Sequence, residues 1–277
     1  MTLVSADPLS DNLLFLPGAK RIKEVDPARL DLTGFDLLLL VDGDKFSRYS
    51  RAKETSLPPQ LLTVNIDHHI SNQGSADLSY LVPTAAATTE ILYDLFKRWK
   101  VKITPAIADG LLTGIYTDTL GFTTPATTGA SLTKAGDLIG KGGDRAKIVG
   151  NFFHHWSPKS LKAWGAIIAN CKRRAGISYS SLSYQELRRL GLPEKELSPT
   201  RGFAIDSLLL PIRGIKAALL FIEEKPKLIR VTLRSKKGTD VAEVAEKMGG
   251  GGHRHAAAFS YPGPLKEAIA KTLRLVW

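Results

Sequence analysis

Short apolar runs alternate with apolar stripes at helical spacing through the first half of the chain. Phe35 to Val41 and Leu61 to Ile66 are apolar runs of strand length, of the kind found in buried parallel strands. From about Thr84 to Trp99 the apolar residues recur on one helical face, and Pro105 opens another helix. This alternation predicts a doubly wound, mostly parallel α/β sheet.

The second half of the chain carries shorter and more mixed patterns. Ser157 followed by Pro158 predicts a helix that runs to about Arg174, where basic residues suit the negative end of the helix dipole. We predict strands at Ile177 to Ser183, Ala217 to Ile222, Leu228 to Leu233 and Ala256 to Phe259, and helices near Gln185 to Leu190, Phe203 to Leu210, Val241 to Met248 and Leu265 to Leu273. The predicted organisation is a larger domain over residues 1–156, a linker helix over 157–175 and a smaller α/β domain over 176–277.

Composition is that of a globular protein with a basic surface. The chain has 277 residues, of which 43% are hydrophobic and 23% charged, and its formal net charge is +11. Such a charge favours anionic partners, above all phosphates. No apolar run approaches the roughly 18 residues of a membrane span, and the N-terminus lacks a secretory pattern, so we expect a cytoplasmic protein. The single cysteine, Cys171, excludes an internal disulfide framework and a thiolate zinc cluster.

Three residues whose side chains can bind a metal ion each follow an apolar segment. They are Asp42, His68 and Asp118. A doubly wound sheet gathers the carboxyl ends of its strands along one edge, where residues distant in sequence can converge. Two carboxylates and an imidazole suit manganese or magnesium, or cobalt or iron, better than a structural zinc. Taken singly, each aspartate is more simply a cap or turn residue, and Asp67-His68-His69 is equally compatible with a solvated loop.

A run of glycines before His253 marks a second candidate site. Gly249 to Gly252 is not followed by Lys-Ser or Lys-Thr, which excludes a nucleoside-triphosphate loop. The glycines still let backbone amides approach a phosphate, and His253 and Arg254 add side-chain donors. Upstream, Arg234 can bind a phosphate in a bidentate manner. The alternatives are a flexible connector for the glycines and a solvated basic turn for the segment at Arg234.

Five motifs resemble those of the DHH phosphoesterase family. They are Val41-Asp42-Gly43-Asp44 with Arg48, Asp67-His68-His69, Gly114 to Thr119, Leu233-Arg234-Ser235, and Gly250-Gly251-Gly252-His253 with Ala256-Ala257 and Phe259. They occur in the family's order over nearly the whole chain, which argues against chance agreement. The chain is most similar to the branch of nano-RNases and phosphoadenosine-phosphate phosphatases, in which a C-terminal DHH-associated domain binds substrate.

The resemblance implies a role for each motif. Asp42 would bridge two metal ions, manganese or else magnesium or cobalt, while His68 and Asp118 complete the coordination of one of them. His69 would approach the phosphate or the metal-bound water, and Asp67 would orient the histidines. The residues implied to hold a distal phosphate or terminal base are Arg234, Ser235, Gly250, Gly251, Gly252 and His253.

The family's first strand, with its His-x-x-x-Asp-x-Asp type of metal motif, has no counterpart in this sequence. Asp7 and Asp11, near the start, are poor substitutes. We therefore expect an N-terminally truncated or mis-started member with weak or no two-metal catalysis. One ion would keep Asp42, His68 and Asp118 as ligands, and the other would keep only the bridging carboxylate.

Three functions remain as alternatives. The favoured one is a metal-dependent phosphoesterase that hydrolyses short oligoribonucleotides or 3′-phosphoadenosine 5′-phosphate, impaired by loss of the first metal motif. The second is a non-catalytic nucleotide or short nucleic-acid binding module with a degenerate metal site. The third is a basic protein that binds long nucleic acid, which predicts a steep salt dependence. The expected partner is short RNA or a nucleotide and not a membrane, with a homodimer as an open alternative.

Overall fold

The computed structural model describes residues 1–43, 45–52, 56–70, 72–153, 156–236 and 238–276. The chain divides into two units, Met1–His155 and Trp156–Trp277, each with its own core. Parallel strands in the first unit and a separate sheet in the second confirm the predicted α/β class. Within the described residues, no helix is long and apolar enough to cross a membrane.

The first unit is built from short strands followed by longer helices. Its strands are β1 (Leu3–Ser5), β2 (Ile22–Glu24), β3 (Leu37–Val41), β4 (Leu62–Asp67) and β5 (Leu78–Leu81), and its α-helices are α1 (Thr88–Arg98), α2 (Pro105–Asp118), α3 (Gly129–Gly140) and α4 (Arg145–Phe153). Short 3-10 turns lie at Asp11–Leu13, Ala19–Arg21, Pro27–Arg29 and Phe46–Arg48. β1 pairs with β2, and β3, β4 and β5 form a parallel sheet in that order.

Strand register determines which polar residues meet at the carboxyl edge of the sheet. Val41 on β3 lies opposite Ile66 on β4, so Asp42 and Asp67 follow side by side. The backbone N–H of Asp42 donates to the carbonyl of Ile66 at 3.0 Å and extends this ladder by one residue. The predicted convergence of strand ends is therefore built into the pairing of β3 with β4.

Local signals explain where the helices of the first unit begin. The Thr104 hydroxyl accepts a hydrogen bond from the Ile107 N–H at 3.4 Å, and Pro105 occupies the first turn of α2. Thr128 and Ser131 form a capping box at the start of α3. The helix that was predicted from about Thr84 begins at Thr88 instead. The side chains that are 0% exposed where these helices pack are Ala108, Leu112, Ile115, Leu138 and Ile148.

One face of the three-stranded sheet is open near the amino ends of its strands. Leu37 and Leu39 are each 50% exposed, Leu62 is 43% exposed and Leu78 is 58% exposed. The strand register puts all four leucines on the same face of the sheet. Helix α1 covers that face only near the carboxyl ends of the strands, where it packs on Ile66. The prediction of fully buried strands is therefore wrong for their amino-terminal halves.

The second unit has helices on both faces of a six-stranded sheet. Its α-helices are α5 (Pro158–Ala169), α6 (Tyr184–Leu190), α7 (Glu194–Phe203), which continues into a π-helical segment (Ala204–Leu209), α8 (Ala242–Lys247) and α9 (Leu265–Leu275). Its strands are β6 (Lys172–Arg174), β7 (Ile177–Leu182), β8 (Ala217–Lys225), β9 (Leu228–Ser235), β10 (Gly251–His253) and β11 (Ala256–Pro262). The strand order is β10-β11-β9-β8-β7-β6, with β7 and β8 parallel and the other pairs antiparallel.

Alternate residues of the central strands enter two different cores. On one face Phe221, Val231 and Phe259 pack with residues of α8 and α9. On the other face Leu220 and Ile222 of β8 pack with α5, α6 and the π-helical segment. The period of two explains why β8 is almost continuously apolar, since both of its sides are covered.

The predicted helix from Pro158 to about Arg174 is wrong at its carboxyl end. The helix stops at Ala169, and Lys172–Arg174 pairs with β7 as an antiparallel strand. The connecting residues Ala175 and Gly176 have φ angles of 40° and 84°, the left-handed values that a two-residue hairpin requires. The basic residues therefore lie in a strand and not in the last turn of the helix.

Candidate metal centre

Asp42 follows β3 in a strained backbone conformation. Its φ of 71° is left-handed, which is uncommon outside glycine. At the next position a Cβ in place of Gly43 would lie 2.7 Å from the Tyr49 hydroxyl, so a larger residue there would require the Tyr49 side chain to move. Asp42 Oδ1 accepts a hydrogen bond from the Thr88 hydroxyl, in the first turn of α1, at 2.6 Å. This bond ties the carboxylate to the start of α1.

Asp67 is a fully buried carboxylate, 0% exposed, that organises the two histidines after it. Its Oδ1 accepts from the backbone N–H groups of His68 at 2.7 Å and His69 at 3.2 Å, and from His69 Nδ1 at 2.6 Å. Its Oδ2 accepts from Asn72 Nδ2 at 2.7 Å. Burial disfavours the charged carboxylate, but the hydrogen bonds from His69 and Asn72 outweigh it and lower the pKa of Asp67.

A pair of asparagines, which sequence reasoning missed, links this carboxylate to β3. Asn72 Nδ2 also donates to Asn65 Oδ1 at 2.7 Å. Asn65 Nδ2 donates to the carbonyls of Leu40 at 3.2 Å and Gly43 at 2.6 Å. The available signal was an asparagine inside an apolar strand, because a buried amide requires partners.

His68 directs one ring nitrogen at the carboxylates. Its Nδ1 lies 3.1 Å from the Ala85 carbonyl, which can only accept, so Nδ1 carries the proton. Its Nε2 lies 3.6 Å from Asp42 Oδ1 and 3.9 Å from Asp118 Oδ2. The His69 ring packs edge-on against the His68 ring, with centroids 4.6 Å apart. The predicted group Asp42, His68 and Asp118 therefore does converge.

Asp118 is the last residue of α2, and its side chain is 34% exposed. Partial burial, followed by the negative charge of Asp42, raises the pKa of Asp118 to about 6. His68 and His69 oppose this shift. Two carboxylates held around one imidazole repel each other, and a cation bound between them would relieve this repulsion.

The donor set fits a divalent cation. One potential ligand atom from each of Asp42, Asp67, His68 and His69 lies within 4.8 Å of all the others. Both Asp67 oxygens already accept hydrogen bonds, whereas the nearby Asp118 carboxylate faces His68 Nε2. The residues that could hold the ion are thus Asp42, His68 and Asp118, with oxygen and nitrogen donors of the kind that manganese accepts.

A close contact between two helices brings Asp118 toward Asp42. Gly114 of α2 faces Thr89 of α1, and a methyl group at Gly114 would overlap the Thr89 side chain, whose Cβ would lie 3.0 Å away. Thr88, beside Thr89, holds Asp42, and Asp118 lies one turn beyond Gly114. The glycine therefore sets how closely the two carboxylates approach.

The residues predicted to bind substrate lie in the second unit. Arg234 Nε donates to Asp206 Oδ1 at 2.9 Å, an acidic partner that sequence reasoning missed. The Ser235 hydroxyl donates to the Thr239 carbonyl at 2.7 Å and is 7% exposed. A Cβ at Gly252 would lie 2.5 Å from the Ala256 carbonyl oxygen, so close strand pairing requires this glycine.

The other two glycines differ in their surroundings. A Cβ at Gly250 would overlap β11, whereas one at Gly251 would meet nothing within 4 Å. Gly251 and Gly252 pair with Ala258 and Ala257 across the β10–β11 ladder. The prediction for His253 concerns a side chain outside the described part of the chain.

Comparisons with known proteins indicate the family of this chain. The model of the DHH family N-terminal domain matches residues 4–115, and the DHHA1 domain model matches residues 196–277. The bifunctional oligoribonuclease and PAP phosphatase of Thermus thermophilus is 27% identical over 226 residues, which cover 81% of this chain and 67% of that protein. A probable bifunctional oligoribonuclease and PAP phosphatase of Streptococcus mutans is 30% identical over 213 residues, covering 76% of this chain and 66% of that protein.

A solved structure supports the fold over nearly the full chain. An exopolyphosphatase-related protein from Bacteroides fragilis superposes with a TM-score of 0.85 at 20% identity, covering 99% of this chain and 82% of that chain. The chain spans about two thirds of the length of the two relatives above. It belongs to the DHH family, within the nano-RNase branch, as its sequence motifs predicted.

The titration of Asp118 gives a first prediction, for the metal-free chain in chelator. The pKa of this group rises from 3.8 unfolded to about 6 folded, so the folded state retains the proton longer and the free energy of unfolding falls as pH rises through this window. Asp118→Asn cannot ionise. We expect it to match the parent near about pH 4 and to be more stable than the parent above about pH 7.

Urea unfolding at the two pH values measures the difference, and added manganese should reverse it by stabilising only the parent. A stability difference that does not change with pH would contradict the burial and repulsion assigned to Asp118.

Gly114 gives a second prediction, with Gly110 on the same helix as its control. A Cβ at Gly110 would meet nothing within 4 Å. Gly110→Ala should therefore stabilise the chain by up to about 1 kcal/mol through helix propensity. Gly114→Ala should instead destabilise it by about 1–3 kcal/mol through overpacking, and weaken manganese binding. Urea unfolding and metal titration of both variants test this, and equal stabilisation by the two alanines would contradict it.

Proposed function

We propose that this chain carries a metal-dependent phosphoesterase site that acts on short oligoribonucleotides or 3′-phosphoadenosine 5′-phosphate. The observation that carries the proposal is the group of Asp42, His68 and Asp118, with His68 Nε2 3.6 Å and 3.9 Å from the two carboxylates. The names of the relatives, which are oligoribonucleases and PAP phosphatases, indicate the substrate class.

Asp42, His68 and Asp118 would hold the ion. A divalent metal bound there would polarise a phosphoryl oxygen and lower the pKa of a coordinated water. Because Nδ1 of His68 donates to the Ala85 carbonyl, Nε2 presents its lone pair to the site. Thr88 holds Asp42 by a 2.6 Å hydrogen bond, which limits the carboxylate to one orientation.

His69 would handle the proton or the phosphate. Its Nδ1 donates to Asp67 at 2.6 Å, so the buried carboxylate fixes the ring and stabilises an added positive charge. Nε2 is then the atom that can accept a proton from the attacking water or donate one to a phosphate oxygen. Asp67 acts through His69 and is a positioning residue.

The second unit would bind the nucleotide. Arg234, held by Asp206, keeps further guanidinium N–H groups for a phosphate. Ser235, Gly250, Gly251, Gly252 and His253 complete the proposed group of substrate residues.

Manganese-dependent hydrolysis tests the proposed function. The parent chain should release mononucleotide from a diribonucleotide, or phosphate from 3′-phosphoadenosine 5′-phosphate, only with the metal present. Asp42→Asn should reduce the rate by at least about a hundredfold, since it removes a charged ligand. The matched control is Asp36→Asn, which removes the same charge at the other end of β3, at the residue before the strand begins.

Binding without turnover in the parent would contradict the enzyme and favour the alternative, a non-catalytic binding module. Equal loss in Asp36→Asn and Asp42→Asn would also contradict the assignment, because it would indicate a general effect of charge on folding.

Metal stoichiometry gives a further prediction. The carboxylates and imidazole described above form a ligand group for one ion, so calorimetric titration should detect one tightly bound manganese per chain. His68→Gln should abolish that binding while leaving nucleotide binding in chelator unchanged. Two tight ions of equal affinity would contradict the assignment of a single well-supported site.

A further inference from the structure

Three side chains of β9 lie on the same face of the second sheet as the apolar residues that face α5 and α6. Arg230, Thr232 and Arg234 alternate along the strand, and Arg234 lies opposite Ala218 of β8. Only small residues lie opposite them on β11, where the register pairs Arg230 with Ser260, Thr232 with Ala258 and Arg234 with Ala256. Strand β11 therefore presents only small side chains beside the two arginines.

The helices and the π-helical segment cover this part of the sheet face only in part, since Asp206 lies over Arg234 and Thr232 is buried. The apolar cluster beneath the helices includes Leu220 and Ile222 of β8 but, among the described residues, none from β9 or β11. Ala256 and Ala258 are half-buried and Ser260 is exposed. The β11 side of this face is therefore at least partly accessible, while Thr232 lies at the covered edge beside it.

Among the described residues, this face of the sheet carries more arginine side chains than carboxylates. Arg234 pairs with Asp206 at 2.9 Å, and Arg201 of α7 pairs with Glu224 at 2.6 Å. Arg230 has no carboxylate within 4.0 Å among the described residues, and its guanidinium contacts only the Ser260 hydroxyl, at 3.3 Å. One positive charge is therefore left for an anion.

The hydroxyl of Thr232 is a second, independent indication. Thr232 is only 6% exposed, and its Oγ1 has no hydrogen-bond partner among the described residues. Buried hydroxyls are normally paired, because desolvation is costly. This one lies between the two arginines of β9, on the face that would receive the ligand.

We propose that Arg230 and Thr232 form an anion-binding subsite, beyond Arg234, for a phosphate group of the nucleotide. The identity of the ligand rests on the proposed function, but the subsite itself rests on the partly accessible face, the unbalanced charge and the unpaired hydroxyl. Arg230 lies about 13 Å along the strand from Arg234, so the two arginines contact different parts of the bound molecule. Arg230 supplies two parallel N–H donors to the phosphate, and Thr232 donates its hydroxyl.

Calorimetric binding of 3′-phosphoadenosine 5′-phosphate to the full chain in chelator tests the subsite without requiring turnover. Arg230→Gln should weaken binding about tenfold and lower the slope of log K against log salt by about 0.7, as expected for one lost phosphate contact. Arg230→Lys should recover part of the affinity. Lys266→Gln, which removes an exposed charge on α9 at the other face of the sheet, is the matched control and should change neither quantity.

Thr232→Val separates a ligand role from a structural one. Because the hydroxyl is unpaired in the described chain, valine should raise the urea midpoint of the free protein while lowering its affinity for the nucleotide. Unchanged affinity in this variant, or an effect of Arg230→Gln no larger than that of Lys266→Gln, would overturn the subsite.

The subsite and the proposed function can fail separately. A parent chain that binds the nucleotide but does not hydrolyse it would contradict the enzyme and leave the subsite standing. A parent chain that hydrolyses it, with affinity insensitive to Arg230 and Thr232, would overturn the subsite alone. Absence of nucleotide binding to the parent in chelator would overturn the subsite as well.

Discussion

The first unit depends on one buried carboxylate, that of Asp67. It accepts four hydrogen bonds, from two backbone amides, one imidazole and one amide side chain. Without these donors a charge at this depth would be strongly unfavourable. With them, the loop after β4 has one favoured arrangement, in which His68 turns toward the other carboxylates and His69 is held by its Nδ1. The rigidity of the site is thus a consequence of satisfying Asp67.

The elements around Asp67 adopt locally unfavourable conformations in this arrangement. Asp42 adopts a left-handed backbone conformation, and α1 and α2 approach so closely at Gly114 that a methyl group would not fit. Strain and close packing of this kind are retained where a function needs them. Both features converge on the same two carboxylates, which argues that their proximity, rather than stability, is what the local structure serves.

Much of this could be predicted from the sequence, because strand ends and motifs are local patterns. The meeting of Asp42 and His68 follows from the topology of a parallel sheet, whereas Asp118 approaches them from the end of α2. The asparagine inside β4 indicated that a buried amide needs partners, but the identity of those partners was not predictable, since it depends on the folded loop. The β6–β7 hairpin was also missed, because Ala175-Gly176 is a weaker turn signal than Asn-Gly. Roles for His69, Arg234 and the glycine run stay predictions.

The two units have opposite electrostatic imbalances. In the first, Asp42 and Asp118 face one imidazole, and burial with the repulsion from Asp42 raises the pKa of Asp118. In the second, three arginines share a face with two carboxylates among the described residues. A phosphate ester neutralises the second imbalance, and a divalent ion the first. Each unit by itself therefore favours a ligand whose charge is opposite to its own excess.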